Sequence, residues 1–143
     1  MLLGAKSRYA VMAMVDLASR GSDKPICLAE LAESQEIPLP YLEQLFVKLR
    51  KAELVQSVRG PGGGYVLAKS PAETCISQIV EAVDEPLKMT RCDMEKTAHG
   101  CLSTKAQCMT HGLWDGLGNH IHEYLNGITV EDVCRKKSKV GLH

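Results

Sequence analysis

A glycine-rich segment near the middle of the chain most strongly limits what the chain can fold into. Residues 60–64 are Gly-Pro-Gly-Gly-Gly, which neither a helix nor a regular strand tolerates, so the chain must turn there. Short apolar runs at 54–58 and 65–67 flank this turn and predict a β-hairpin. The segment lacks the Gly-Lys-Ser/Thr of a phosphate-binding loop, and a strand rather than a helix follows it, which excludes nucleotide binding.

Three helices are predicted before the hairpin. Residues 6–19 contain no helix breaker and are apolar on nearly every side, which predicts a helix buried over most of its surface. A short amphipathic helix is expected from Leu28 to about Glu36, and the next begins near Pro40, since proline is favoured in the first turn of a helix. Two such helices form a helix-turn-helix candidate, and a hairpin directly after them is called a wing.

Further helices are predicted after the hairpin. Thr74 is expected to cap a helix over 76–83, and hydrophobic periodicity is then lost from Asp84 to Met109, which predicts a loop. A long helix is expected over about 110–126. Thr129 and Asp132 have the spacing of a capping box and predict a last short helix.

Overall charge gives no argument for a nucleic-acid partner, because 17 basic side chains balance 17 acidic ones. Residues 40–69, however, hold five Lys or Arg against two Glu, which is a local basic patch. No segment approaches the roughly 20 apolar residues of a membrane span, and the N-terminus has no signal-peptide pattern, so a cytoplasmic protein is expected. In that reducing compartment, six cysteines favour metal binding over disulfides.

The exposed face of the predicted second helix of the pair carries groups suited to reading DNA. Gln44 can form two hydrogen bonds with adenine, and Glu43 can accept one from cytosine. Arg59 at the tip of the wing can enter a minor groove, whereas the lysines and Arg50 suit phosphates. The predicted DNA contacts are Tyr41, Glu43, Gln44, Lys48, Arg50, Lys51, Ser57, Arg59, Gly60 and Pro61.

Three cysteines and a histidine crowd the predicted loop in the pattern Cys92-x8-Cys101-x6-Cys108-x2-His111. Structural zinc sites usually have cysteine pairs two to four residues apart, which neither cysteine gap matches. Wide spacings of soft thiolates favour an iron–sulfur cluster, with His99 as the alternative fourth ligand. The other cysteines are expected to be buried small apolar residues, and two histidines of the long helix to be exposed or at an interface: Cys27, Cys75 and Cys134; His120 and His122.

The long helix needs a surface to cover its apolar stripe. Because the part before residue 84 is expected to close on itself, this helix is predicted to pair with its copy in a dimer, which presents two recognition helices to two half-sites. The stripe consists of Leu113, Leu117, Ile121, Tyr124, Leu125 and Ile128. The predicted fold class is mainly α with a small β-hairpin. Its expected parts are a winged helix-turn-helix at 1–84, a cluster-binding loop at 85–109, a dimerisation helix and short C-terminal helix at 110–135, and a basic tail at 136–143.

No catalytic motif is evident, so an enzyme is not expected. The stretches 41–46 and 54–65 resemble the recognition helix and wing of the iron–sulfur cluster regulators among the Rrf2-type winged-helix repressors, as do 6–10, 82–85 and 110–114. The resemblance implies a homodimer that binds operator DNA and represses genes for cluster assembly or iron homeostasis. It also implies one 2Fe-2S cluster per subunit, held by Cys92, Cys101, Cys108 and His111 and donated by the iron–sulfur assembly machinery.

Two departures from that family pattern stand out. The cysteine gaps of eight and six residues exceed the usual five, and Pro40 stands where a small polar residue is expected to contact DNA. Arg8 occupies the neighbourhood from which nitric-oxide-sensing relatives take an acidic ligand, which argues against that branch. The alternatives are an iron–sulfur carrier or scaffold protein, and a zinc-stabilised or nitric-oxide-sensing regulator of the same fold.

Overall fold

A computed structural model describes residues 4–21, 24–83 and 109–136. Its helices are α1 Ala5–Ser19, α2 Leu28–Gln35, α3 Leu39–Lys51, α4 Ile76–Ala82, α5 His111–Asn126 and α6 Val130–Lys136. The strands β1 Val55–Val58 and β2 Gly64–Leu67 pair in antiparallel fashion, and a short 3-10 turn lies at Pro71–Glu73. This arrangement confirms the predicted fold class: mainly α with one hairpin directly after a helix-turn-helix.

The helix α3 packs through the face that the apolar spacing predicts. The expectation that α1 is buried over most of its surface is wrong, because only one of its sides faces the core and Met12 on the other side is 38% exposed. One side of α1 buries Ala10, Ala13, Met14 and Leu17, and one side of α3 buries Leu42, Leu45, Phe46 and Leu49. Because apolar residues three and four positions apart occupy one side of a helix, the polar residues of α3 are left on its other side.

The turn between α2 and α3 depends on one left-handed residue. Glu36 has φ 54° and ends α2, and the backbone N–H of the buried Ile37 then donates to the carbonyl of Ala32 at 2.9 Å. Pro38 precedes α3, and Pro40 lies within its first turn, where a missing N–H has no cost. The chain therefore leaves α2 and enters α3 within three residues, as in a helix-turn-helix.

The hairpin is anchored outside its own two strands. Ile26 pairs with Tyr65 of β2 through two backbone hydrogen bonds of 3.0 and 2.8 Å, so the segment before α2 lies along the hairpin. Gly64 permits this approach, because a Cβ at that position would collide with the backbone of Ile26. The ring of Phe46 in α3 packs against the ring of Tyr65, with centroids 5.0 Å apart. The wing is thus joined to both the helix-turn-helix and the segment before it.

The residue that caps α4 differs from the prediction. Thr74 does not cap it: its hydroxyl donates to the carbonyl of Ser70 at 3.2 Å, and Cys75 is the residue that caps the helix. The amide of Cys75 donates to Oε1 of Gln78 at 2.9 Å, completing a capping box. The carbonyl of Thr74 accepts from the amide of Val130 at 2.9 Å. This pairing with the C-terminal segment keeps Thr74 extended, so Cys75 takes the capping position while the helix begins at Ile76 as predicted.

The last helix confirms the capping box predicted for Thr129 and Asp132. The amide of Thr129 donates to Oδ2 of Asp132 at 3.0 Å, and the amide of Asp132 donates to the hydroxyl of Thr129 at 3.1 Å. α6 packs against α1, where the thiol of Cys134 donates to the carbonyl of Val15 at 3.7 Å. The burial expected for three cysteines is wrong, because Cys27, Cys75 and Cys134 are half-buried at the ends of elements or on a surface helix.

Of the described residues, 4–21, 24–83 and 125–136 belong to one compact unit and 109–124 belong to another. The domain boundaries expected from the sequence stay predictions. Within the described residues, no helix is long and apolar enough to cross a membrane.

Candidate DNA-binding surface and metal-ligand segment

The outer side of α3 presents the polar residues that the sequence singled out. Glu43 and Gln44 are exposed in the first half of the helix, and Tyr41 is half-buried at its start. Their position follows from the buried side of α3, because residues adjacent to Leu42 and Leu45 must point away from the core. A carboxylate and an amide next to each other on one exposed helix face form a surface that can discriminate between base edges.

Cations without ion-pair partners gather around this helix. Among the residues that the structure describes, Arg50, Lys51 and Arg59 are exposed and form no salt bridge. Lys48, which is half-buried on the same helix, is not one of these unpaired cations. An open cleft of about 460 Å³ beside the hairpin is lined by Arg50, Ser57 and Lys69, among others. Unpaired cations keep their full charge available to an anionic partner, which is the property that phosphate binding requires.

The tip of the wing is fully accessible. Arg59, Gly60 and Pro61 are exposed. Gly60 and Gly62 have φ values of 101° and 73°, which residues other than glycine rarely adopt. Of the ten predicted DNA contacts, eight are exposed and two, Tyr41 and Lys48, are half-buried. All ten lie on α3 or on the hairpin, and the Phe46–Tyr65 contact holds these two elements together. Direct contact with DNA remains a prediction for each of them.

One aromatic neighbour of α3 was missed by the sequence reasoning. The ring of Tyr9 in α1 packs edge-on against the ring of Tyr41, with centroids 5.7 Å apart and planes at 87°. Within the described part of the chain, neither hydroxyl has a hydrogen-bond partner. Tyr9 lies in the stretch 6–10 that carries the family resemblance, which is the signal that could have identified it.

The charges at the other end of α1 behave differently. Arg20 pairs with Asp16 at 2.9 Å and reaches Glu30 at 3.5 Å. Partial burial alone would raise the pKa of Asp16, but hydrogen bonds from Arg20, Ser34 and Gln35 outweigh it and lower that pKa below its usual value. This network links α1 to α2 and is a stabilising feature of the fold rather than a binding surface.

The predicted metal ligands fall mainly outside the described residues. Cys92, Cys101 and Cys108 lie there, as does the alternative ligand His99. His111 is the first residue of α5, and only 7% of its surface is exposed. Over 4–21, 24–83 and 109–136, no three His, Cys, Asp or Glu residues gather into a group that could hold a metal. Three thiols and one imidazole are nevertheless donors whose chemistry suits an iron–sulfur cluster.

The long helix leaves much of its apolar stripe accessible. Leu113 and Tyr124 are each 62% exposed, and Leu117 is 39% exposed. Ile121 is half-buried, whereas His120 is exposed and His122 half-buried. An accessible apolar stripe on a 16-residue helix is typical of a surface that another chain covers.

A helix-turn-helix with a polar, basic recognition helix and an arginine-tipped wing defines a winged-helix, DNA-binding regulator of transcription. The chain belongs to the Rrf2 family, whose model, described as "Iron-dependent Transcriptional regulator", matches residues 3–136. It is therefore a transcription regulator and not an enzyme.

Individual relatives agree with this assignment. The chain is 44% identical to the HTH-type transcriptional regulator IscR of Pectobacterium atrosepticum, over 99% of this chain and 84% of that protein. It is 46% identical to IscR of Yersinia pseudotuberculosis, over 96% and 81%. Among solved structures, T. potens IscR matches with a TM-score of 0.78 and 33% identity, over 100% of this chain and 93% of that one. CymR, the global cysteine regulator of B. subtilis, matches with a TM-score of 0.76 and 27% identity, over 95% and 98%.

Proposed function

We propose that this chain is a dimeric regulator that reads operator DNA with α3 and the wing and changes its affinity with the state of a bound 2Fe-2S cluster. The observation that carries the DNA-reading part is the shared surface of exposed Glu43 and Gln44 with the unpaired Arg50, Lys51 and Arg59. The cations hold phosphates and so fix the orientation of α3, while Glu43 and Gln44 sample base edges. Arg59 extends from the tip of the wing into the neighbouring minor groove.

The cluster part of the proposal rests on the donor set and on the family. Cys92, Cys101, Cys108 and His111 would hold the cluster, and the family model and several relatives have names that refer to iron or to IscR. When bound, the cluster supplies a one-electron redox centre that forms only when iron and sulfide are available. Holding it ties the segment before α5 to the first residue of that helix. A histidine in place of a thiolate also raises the reduction potential of such a centre.

The dimer part rests on the exposed apolar residues of α5. A second copy of the chain would cover Leu113, Leu117 and Tyr124, and two-fold symmetry would then place two recognition helices on two half-sites of one duplex. If occupancy of the cluster site changes the spacing of the two recognition helices, the affinity for DNA changes with it. Linkages of this kind typically change affinity about 5–150-fold.

By similarity to regulators named IscR, we propose that the controlled genes serve cluster assembly or iron homeostasis and that the main effect is repression. The iron–sulfur assembly machinery would be the cluster donor.

Anaerobic purification followed by absorption spectroscopy, iron and sulfide assays and DNA titration tests the whole proposal. We expect a coloured protein with two irons and two sulfides per subunit, and different operator affinities for the holo and apo forms at fixed salt. A colourless protein that contains zinc would indicate a structural zinc site in place of the cluster. A coloured protein that transfers its cluster but forms no sequence-specific DNA complex would identify a carrier instead. Equal affinity of both forms for every operator would refute sensing.

A further inference from the structure

The start of α1 has the properties of a nucleic-acid contact, although the predicted contacts are confined to α3 and the wing. Lys6 and Arg8 are exposed, and neither forms a salt bridge with any residue that the structure describes. Tyr9 lies one turn after Lys6 and is half-buried, with a hydroxyl that lacks a partner among those same residues. Three polar groups on the first two turns of α1 are therefore left without a partner among the described residues.

The aromatic pair fixes the position of Tyr9, and Lys6 and Arg8 lie on either side of Tyr9 around α1. Tyr9 packs against Tyr41 with ring centroids 5.7 Å apart, and Tyr41 lies in the first turn of α3. The start of α1 therefore lies beside the N-terminal end of α3, which is the end of a recognition helix that contacts base edges. Packed helices have axes about 8–10 Å apart, so α1 lies about one helix diameter to the side of α3.

The dimensions of B-DNA indicate what occupies that place. The major groove is about 12 Å wide, and a helix with its side chains is about 10–12 Å across, so α3 fills the groove. A group held about one helix diameter to the side of α3 then faces the phosphate wall of the groove rather than the bases. Two cations and a phenolic donor are suitable ligands for phosphate oxygens.

We propose that Lys6, Arg8 and the hydroxyl of Tyr9 form a second DNA-contacting surface that holds the phosphate backbone at the edge of the groove occupied by α3. This inference rests on the proposed reading of DNA by α3 and the wing, and it adds a contact that carries no sequence information. In a dimer each group acts twice, once in each half-site.

Salt dependence of binding measures the two cations directly. Each phosphate contact contributes about 0.9 to the slope of log affinity against log salt, so Lys6→Gln and Arg8→Gln should each make the slope of a dimer shallower by about 1.8, and the double variant by about 3.6. Arg135→Gln is the matched control. Arg135 lies on α6 and pairs with Glu131 at 2.9 Å, so its replacement removes the same charge from a different surface and should leave the slope unchanged.

Tyr9→Phe separates DNA contact from packing, because it keeps the ring against Tyr41 and removes only the hydroxyl. A hydrogen bond to a charged phosphate should make this variant bind at least about tenfold more weakly. The probes are a duplex that the wild-type protein selects from a random pool and a scrambled duplex of the same length. Affinity for both should fall by the same factor, because phosphate contacts do not distinguish sequences.

The controls keep this inference separate from the proposed function. Thermal unfolding and circular dichroism establish that each variant folds like the wild type. If the wild-type protein selects no duplex, or if Arg59→Ala binds like the wild type, the proposed DNA surface itself fails. If the wild type selects a duplex and Arg59→Ala weakens binding, the proposed DNA surface is supported and the α1 variants test the α1 surface independently. It is wrong if Lys6→Gln and Arg8→Gln keep the slope of Arg135→Gln, or if Tyr9→Phe keeps the wild-type affinity.

Discussion

Replacing Leu117 with Asp tests whether two copies of the chain meet through α5. Leu117 is 39% exposed and lies between Leu113 and Tyr124, which are each 62% exposed. A second α5 on this face would remove the remaining exposed surface of Leu117. Because full burial of a leucine contributes about 1.5–3 kcal/mol, covering that part contributes about 1 kcal/mol in each subunit.

The substitution removes this contribution and also places a carboxylate without a partner in an apolar seam. With about 2 kcal/mol as a lower bound for each buried carboxylate, the two subunits together lose about 6 kcal/mol of association free energy. Such a loss raises the dissociation constant of the dimer about 10⁴-fold. A dimer with a nanomolar dissociation constant would then be about half dissociated at about 10 μM and largely monomeric below that concentration.

Sedimentation equilibrium over a range of concentrations measures this change. Asn119→Asp is the matched control, because Asn119 is exposed two positions further along α5 and lies about 160° around the helix from Leu117, outside the stripe of Leu113, Leu117 and Tyr124. It adds the same charge to the same helix away from the seam. The reasoning is refuted if Leu117→Asp dissociates at the same concentration as the wild type and the control while circular dichroism shows the same helix content.

Three further changes have defined outcomes. Glu43→Ala should broaden the consensus recovered from a random DNA pool without abolishing binding, since it removes an acceptor that repels phosphates and loses at most one base contact worth about 1–3 kcal/mol; an unchanged consensus would contradict this role. Asp16→Asn should lower the melting temperature at pH 7 but not near pH 2. The pKa of Asp16 is lower in the folded chain than its ordinary value of 3.8, so the ionised carboxylate stabilises the fold above pH 3.8. This stabilisation is lost as the pH falls through the pKa of the folded state. Equal shifts at both pH values would assign the effect to packing. Cys101→Ala should remove the visible absorption and leave sedimentation unchanged, and a variant that keeps its colour would exclude Cys101 as a ligand.

The helices of the DNA-binding part could be predicted because their information is local. The apolar residues of α3 recur at helical spacing, and the glycines after Arg59 have no place in a helix, so both elements follow from short windows of sequence. The capping box of Thr129 and Asp132 is likewise contained in four residues. Each of these predictions is confirmed at or within one residue of its expected position.

The features that sequence did not predict depend on partners far away in the chain. Thr74 stays extended because it pairs with Val130, and Cys75 caps α4 in its place. The Tyr9–Tyr41 pair joins residues 32 positions apart, so no local pattern indicates it. The left-handed backbone of Glu36 was missed for a local reason, since glycine is the usual residue at that position. The proposed cluster ligands depend on spacing and resemblance alone, because three of the four lie outside the described residues.

The attachment of the hairpin has a consequence for how sequences are distinguished. Tyr65 is held by backbone hydrogen bonds from Ile26 on one side and by the ring of Phe46 on the other, so the distance between Arg59 and α3 is set before DNA arrives. A protein in which that distance is fixed favours DNA whose major groove and adjacent minor groove have the matching separation. Duplexes whose resting shape already matches it bind without distortion, whereas stiffer or wider ones must be bent or twisted at a cost of about 1–6 kcal/mol. Part of the preference for an operator should therefore arise at base pairs that no side chain touches.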